Sequence, residues 1–149
     1  MKDDIFGNLM DWGGALDKLQ NLKEGGTLDN HQDELIRLLR FDGNWRLREA
    51  AVEASSALTA PSVDTAKQLV ELIKRTDLYY NVRIMAVEAL STLVPVVTDN
   101  SGGNSELVRV FVKEANHEVT TLLSSPEPPI FHAALELALV QIQKVAAVA

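Results

Sequence analysis

A ten-residue pattern occurs twice in this chain and constrains the fold more than any other feature of the sequence. Residues 45–54 read WRLREAAVEA and residues 80–89 read YNVRIMAVEA, so the second copy begins 35 residues after the first. A fixed period of about 20–50 residues is typical of folds built from one repeated unit. The apolar residues within each copy recur at helical spacing. The sequence therefore predicts a repeat architecture built from helices.

Helical patterns also dominate the rest of the chain. Apolar residues recur at steps of three and four, strand-like alternation is nearly absent, and breakers separate the segments. We expect helices over 3–22, 29–41, 45–58, 62–75, 78–94, 105–123 and 126–144. Asp29 and Gln32 have the spacing of a capping box at the second helix. The polar connection over 95–105 is the longest, and we expect it to be mobile.

Helix pairs with short turns and an aromatic, an arginine and two alanines in the second helix resemble HEAT repeats. In that family, an aspartate in the turn and an arginine in the second helix form a polar ladder between neighbouring repeats. Asp42 precedes Arg48 by six residues, and Asp77 precedes Arg83 by six. The resemblance implies that these four residues form a structural ladder. An arginine near a helix start can also bind turn carbonyls, because its guanidinium has five donors.

The resemblance implies an all-α fold, namely a right-handed α-solenoid of about three HEAT-like helical pairs with an N-terminal capping helix. We expect a single domain over 1–149, with the capping helix over 3–22, repeat 1 over 29–60, repeat 2 over 61–97 and a divergent repeat 3 over 104–145. Phe131 and Ser125 stand where the third pair would need its arginine and its aspartate. The ladder should therefore stop before the third pair.

In HEAT-like solenoids the second helices line the concave surface. Glu53, Glu88 and Glu136 each follow a valine or leucine in the second helix of their pair. Stacked repeats would place them in one column, which is either an acidic groove for a basic or polar segment of a partner or an ordinary solvated face. The candidate partner-binding residues are Glu49, Glu53, Ile84, Glu88, His132, Glu136, Tyr79 and Trp12.

The aromatic residues are few, so each one has a specific expected role. Trp45 and Tyr80 match an aromatic position of HEAT-like helices, and we expect them to be packed. Tyr79 should be exposed. Trp12 lies on the apolar stripe of the first helix, where it anchors either the cap or a partner.

No catalytic or metal-binding signature is present. The chain has no cysteine, which excludes disulfides and thiolate metal sites, and its three histidines fall on different helices. Nucleotide-binding glycine motifs and the serine hydrolase motif are also absent. Close carboxylates can act as an acid and base pair, but no nucleophile accompanies the acidic column. We therefore expect no cofactor, no metal and no catalytic residue.

Composition narrows the class of protein further. Hydrophobic residues make up 46% of the chain, enough for a buried core, and the net charge is −7. Nucleic-acid binders neutralise phosphates with basic residues, so we expect no nucleic-acid partner. No uninterrupted apolar run approaches the roughly 18 residues of a membrane-spanning helix, and no secretion signal is visible. We expect a cytoplasmic protein without a membrane partner, either a monomer or a weak dimer.

These expectations favour a non-catalytic protein–protein interaction scaffold or adaptor. Two alternatives stay open, because HEAT-like repeats also occur in enzymes. One is a HEAT-based accessory enzyme, such as the lyases that attach bilin pigments to phycobiliproteins. The other is a DNA glycosylase that removes alkylated bases, which would need a continuous basic concave face.

Overall fold

The computed structural model describes residues 4–100 and 106–148, and over these ranges the chain is helical and contains no strand. The α-helices of the described residues are α1 (Trp12–Gly25), α2 (Gln32–Arg40), α3 (Trp45–Ser55), α4 (Val63–Lys74), α5 (Tyr80–Asn100), α6 (Glu106–Leu123) and α7 (Pro129–Val148). A short 3₁₀ helix, Leu28–His31, precedes α2. The expected all-α class is confirmed.

The N-terminal helix begins later than the sequence predicts. The Asp4 carboxylate accepts the Phe6 N–H at 2.8 Å, and such bonds from a side chain to the backbone two residues on form turns. Gly7 then adopts a left-handed conformation with φ 66°. The predicted helix over 3–22 is therefore wrong before Trp12, and residue 3 lies outside the described part of the chain. Phe6 and Leu9 are nevertheless buried, so this segment packs on the core without being helical.

α5 continues beyond the end that the sequence predicts. A proline inside a helix removes one backbone hydrogen bond and costs about 3 kcal/mol, which favours an end at Val94. Val97, one turn later, is buried in the core cluster, and burying such a side chain contributes about 1.5–3 kcal/mol. The helix therefore runs through Pro95. The predicted mobile connection is wrong for residues 95–100, and its remainder lies outside the described residues.

α7 also differs from the expected boundaries. It begins at Pro129 and extends to Val148, whereas Ser125 and Pro126 were the expected start. Proline suits the first position of a helix because its missing N–H has no partner there in any case. By this rule, each of the prolines at positions 126, 128 and 129 could be the first residue of the helix. The helix begins at the last of them.

Helix contacts form three pairs and two series. The pairs are α2 with α3, α4 with α5, and α6 with α7. One series runs from α2 through α4 to α6, and the other runs from α1 through α3 and α5 to α7. Buried side chains from all of these helices form one hydrophobic cluster, in which Phe111 and Phe131 are the largest fully buried residues.

Polar side chains near the start of α2 bind the loop that leads into α4. The Asp29 carboxylate accepts the N–H groups of Thr59 at 3.0 Å and Ala60 at 2.7 Å, and the Gln32 side-chain oxygen accepts the Ser62 N–H at 2.7 Å. The predicted capping box is therefore wrong, because both side chains serve the neighbouring loop. These contacts bring the starts of α2 and α4 together.

The Asp29 contacts predict a dependence of stability on pH. Burial alone would raise the pKa of Asp29, but the hydrogen bonds from Ala60 and Thr59 outweigh it and hold the pKa below its ordinary 3.8. Because the folded pKa is the lower one, the carboxylate stabilises the fold above about pH 4, and this contribution is lost as the pH falls through the folded pKa. We expect Asp29→Asn to lower the Tm at neutral pH and to flatten its decline below about pH 5.

Thermal unfolding followed by circular dichroism between neutral and acid pH measures this effect. Asp17→Asn, which removes an exposed acid of α1, is the control for the change of net charge. If Asp29→Asn and the parent lose Tm in parallel as the pH falls, the carboxylate bonds contribute nothing to stability.

Two helices are long and apolar enough to cross a membrane by length and composition alone, over Tyr80–Asp99 and Pro129–Ala147. Neither helix is an uninterrupted apolar run, because residues such as Glu88 and Glu136 break the runs. Core helices meet the same criteria, and α5 contacts α3, α4, α6 and α7. Half of the apolar stretch of α5 is buried inside the protein, compared with 28% of the apolar stretch of α7. α7 therefore leaves much apolar surface outside the core.

Candidate partner-binding surface

A buried arginine holds the turn between α2 and α3. Asn44 caps α3 with its side chain, and one turn later Arg48 is buried. The Arg48 Nη2 donates to the Phe41 carbonyl oxygen at 2.9 Å and also to the Asp42 carboxylate. Burial lowers the pKa of Arg48, and the nearby positive charge of Arg75 adds to this effect. The Arg48 guanidinium therefore has a structural role within the first helical pair.

A second arginine, Arg75, joins the first helical pair to the second. Its Nη1 lies 3.0 Å from the Asp42 carboxylate, and its Nε and Nη2 lie 3.0 and 2.5 Å from the two oxygens of Asp77. The hydrogen bonds between Arg75 and Asp77 lower the pKa of the exposed Asp77 and raise the pKa of Arg75. The structure thus places Asp77 beside Arg75 and not beside Arg83. The sequence pattern did not identify Arg75, which lies just after α4 and outside the repeated motif.

Arg83 occupies the position in α5 that Arg48 has in α3, but its surroundings differ. It is buried, its Nε donates to the Ile73 carbonyl oxygen at 2.9 Å, and its Nη2 has no hydrogen-bond partner in the described part of the chain. Its guanidinium carbon lies 5.1 Å from the ring centroid of Tyr80 and 4.7 Å from that of Phe131. Cations are attracted to aromatic faces at such distances. Phe131, which replaces the arginine of the third pair, thus contacts the arginine of the second.

Tyr80 extends this contact to the turn before α7. Its hydroxyl donates to the Glu127 carboxylate at 2.6 Å, and this bond raises the pKa of Tyr80 because it favours the protonated phenol. The rings of Tyr80 and Phe131 lie 5.4 Å apart at an angle of 59°. Arg83, Tyr80, Phe131 and Glu127 form one cluster that joins α5 to α7.

An exposed groove runs between the same two helices. We call it the α5/α7 groove; its volume is about 410 Å³, and it is lined by Ile84, Glu88 and Ser91 of α5 and by Ile130, Ala133, Ala134 and Leu137 of α7. Ile130 and Leu137 are 67% and 69% exposed, respectively. Val140, also exposed, continues the apolar side of α7 beyond the groove. The groove is therefore one place where α7 leaves large apolar side chains uncovered.

One member of the acidic column lines this groove, and a second lies on one of its two helices. Glu88 is in the lining, whereas Glu136 of α7 is not; both are exposed. Across residues 4–100 and 106–148, no lysine, arginine or histidine forms an ion pair with either carboxylate. Glu53 differs, because its carboxylate lies 3.6 Å from the Lys23 Nζ of α1. The structure brings Glu88 to the groove and gives Glu53 a partner elsewhere.

Three further candidate partner-binding residues, all outside the acidic column, have different surroundings. Ile84 lines the groove, whereas Glu49 is half-buried on α3, one turn before Glu53. The His132 Nε2 lies 2.9 Å from the Ser125 carbonyl oxygen, and because a carbonyl only accepts, this nitrogen carries the proton. That bond ties the first turn of α7 to the preceding turn, so His132 has a structural contact and does not line the groove.

Three helices that contact one another in series begin with an aromatic residue: Trp12 in α1, Trp45 in α3 and Tyr80 in α5. Trp45 is 58% exposed, with the Arg46 guanidinium 5.3 Å from its ring centroid. The prediction that Trp45 is packed is therefore wrong, because its ring lies on the surface beneath Arg46. The same prediction is wrong in part for Tyr80, which contacts Phe131 but is 40% exposed. Tyr79 is exposed, as the sequence predicts, and Trp12 is 37% exposed. None of these aromatic residues lines the α5/α7 groove.

The described residues contain no cluster of three histidine, aspartate or glutamate side chains that could hold a metal ion. Comparisons with protein-family models, curated proteins and solved structures found no match for this chain. The class that the geometry defines is an all-α protein with an exposed apolar groove between two of its helices.

Proposed function

We propose that this chain is a non-catalytic protein-interaction scaffold, built as a right-handed α-solenoid of HEAT-like helical pairs with α1 as its N-terminal cap. The two series of helix contacts support this arrangement. So do the contacts between successive pairs, in which Asp29 binds the loop before α4 and Asp42 binds Arg75. Stacked repeats of this kind provide extended surfaces for partners.

The observation that carries the proposal is the α5/α7 groove. Large contiguous apolar patches on a protein surface mark interaction sites, whereas single exposed apolar residues need no explanation. Ile130 and Leu137 are exposed together in one concave feature, and Val140 extends it. An apolar groove can receive the apolar anchors of a protein segment, and Glu88 in its lining can select the charge of that segment.

The nucleic-acid alternative receives less support from the charges. A DNA glycosylase needs basic side chains that are free to contact phosphates. Arg37 pairs with Asp4, Arg75 pairs with Asp42 and Asp77, and Lys74 pairs with Glu71 and Glu118, whereas Arg46 and Lys67 form no ion pair in the described residues. Two unpaired side chains do not make a continuous basic face. The groove itself carries an acid. A bilin lyase would bind its pigment, so adding a bilin and an acceptor protein tests that alternative directly.

Affinity capture from the source cells tests the proposal. The groove variant is Ile130→Glu with Leu137→Glu, and the matched control is Leu107→Glu with Val110→Glu, which changes two exposed apolar residues of α6 by the same charge. The two substitutions remove two apolar contacts with the partner, which should weaken partner capture about tenfold or more. The exposed substitutions should each change stability by about 0.5 kcal/mol or less.

The expected result is a protein that the parent and the α6 control retain and that the groove variant loses. Quantitative mass spectrometry of the captured proteins measures this difference, and circular dichroism checks that each variant is folded. Equal recovery of the same proteins by the groove variant and the parent would remove the groove from the proposed function.

A further inference from the structure

We infer that the α5/α7 groove receives an amphipathic α-helix that carries lysine or arginine beside its apolar side. This inference rests on the proposed function and deepens it by naming the occupant of the groove. It depends on the chemistry of the groove walls, the spacing of the apolar residues and the charges beside them.

The walls of the groove exclude most ways in which proteins bind peptide segments. Strand addition needs an exposed sheet edge, and no strand occurs within residues 4–100 or 106–148. Proline-rich segments bind between aromatic rings, and the groove lining contains none. Phosphorylated or acidic segments need clustered arginines, whereas the groove carries Glu88. The apolar lining favours a helix laid into the groove, a mode that binds through apolar anchors at helical spacing.

The apolar residues of α7 match that mode in spacing and length. Ile130, Ala133, Leu137 and Val140 follow one another at steps of three and four residues, so they share one side of the helix. The stripe spans about 15 Å at 1.5 Å per residue. This is about three helical turns, the length over which an amphipathic helix presents three or four anchors. Ile84 of α5 forms the opposite apolar wall.

The acidic groups indicate the charge of the occupant. Glu88 lies in the wall, and Glu136 lies on α7 outside the residues that line the groove. Both carboxylates are exposed and form no ion pair in the described chain. With a net charge of −7, the chain attracts cationic segments at low salt. A membrane fits less well, because anionic lipid surfaces attract basic segments. A second copy that docked through this face would bring the same acidic side chains of both copies together, and like charges repel.

The probe is a fluorescein-labelled helical peptide of leucine and lysine, about 14 residues long, with leucine at helical spacing. One control peptide has the same composition in an order that gives no apolar side. The other replaces each lysine with glutamate. Fluorescence anisotropy measures binding at low and at physiological salt, because screening weakens the contribution of exposed charges.

The variants separate the apolar contribution from the charge. Leu137→Glu should weaken binding of the leucine–lysine helix about tenfold or more although it adds an attractive charge, since the anchor contact is lost. Leu107→Glu on α6 is its matched control. Glu88→Gln with Glu136→Gln should weaken binding about fivefold at low salt. Asp17→Asn with Glu114→Gln removes two exposed acids of α1 and α6 and should change binding less than about twofold.

Each outcome decides a part of the inference. Equal binding of the reordered peptide, or no effect of Leu137→Glu, would mean that charge alone attracts the probe and would overturn the inference. Tighter binding of the leucine–glutamate helix, still sensitive to Leu137→Glu, would overturn the cationic occupant and leave the proposed function intact. If analytical ultracentrifugation shows self-association that Leu137→Glu abolishes, the occupant of the groove is a second copy of the chain and not a basic helix. If no peptide binds while cellular capture still depends on Ile130 and Leu137, the inference fails and the proposed function stands.

Discussion

Replacing Arg83 with alanine is expected to lower the free energy of unfolding by about 3 kcal/mol. The loss has three parts: the contacts of the cation with the rings of Tyr80 and Phe131, about 0.5–2 kcal/mol each; the Ile73 carbonyl left without its donor, about 1–3 kcal/mol; and the packing of the buried side chain. Relief of the desolvated charge offsets part of this sum. Arg46→Ala, which removes an exposed guanidinium stacked on Trp45, should cost about 0.5 kcal/mol.

Urea unfolding followed by circular dichroism measures both values, and a third variant separates their causes. Arg83→Met retains most of the volume without the charge, so it should fall between the parent and Arg83→Ala. If Arg83→Met matches the parent, volume alone explains the effect and the cation contributes nothing. Equal and small effects of Arg83→Ala and Arg46→Ala would remove Arg83 from the structural core of the protein.

Enlarging Ala86 to leucine is expected to cost about 1–3 kcal/mol, because added atoms in a filled core force neighbouring side chains and backbone to move. Ala86 is fully buried in α5, the helix that contacts α3, α4, α6 and α7. Its equivalent in α3, Ala51, is buried as completely. Close packing of helices at these two positions therefore depends on a small side chain.

The matched control for this substitution is Ala133→Leu, at an exposed position of α7. It should change the free energy of unfolding by about 0.5 kcal/mol or less. The repeat pattern also aligns Ala134 with Ala86, but Ala134 is only partly buried and lines the groove. If Ala86→Leu and the parent are equally stable in urea, the side chains around position 86 are not closely packed and the prediction is contradicted.

Several local features could be predicted from the sequence, because each depends on residues close together in the chain. Apolar spacing predicted helices throughout, and the described residues are helical without strands. The break expected between the helices over 29–41 and 45–58 predicted the turn before Trp45, where Asn44 caps α3. The repeated motif also identified Arg48 and Arg83 as arginines near helix starts, and both are buried. Glu88 was a candidate binding residue from the motif alone, and it lines the groove.

Contacts between distant parts of the chain decided the remaining features. Arg75 pairs with Asp42 across 33 residues, and Tyr80 binds Glu127 across 47. The aromatic neighbours of Arg83 and the lysine partner of Glu53 are likewise set by helix packing, which motif spacing cannot encode. α5 continues through Pro95 because core burial of Val97 offsets the local cost of proline. The groove exists for the same reason: the packing of α7 on α5 and α6 determines which of its apolar residues are buried and leaves Ile130 and Leu137 uncovered.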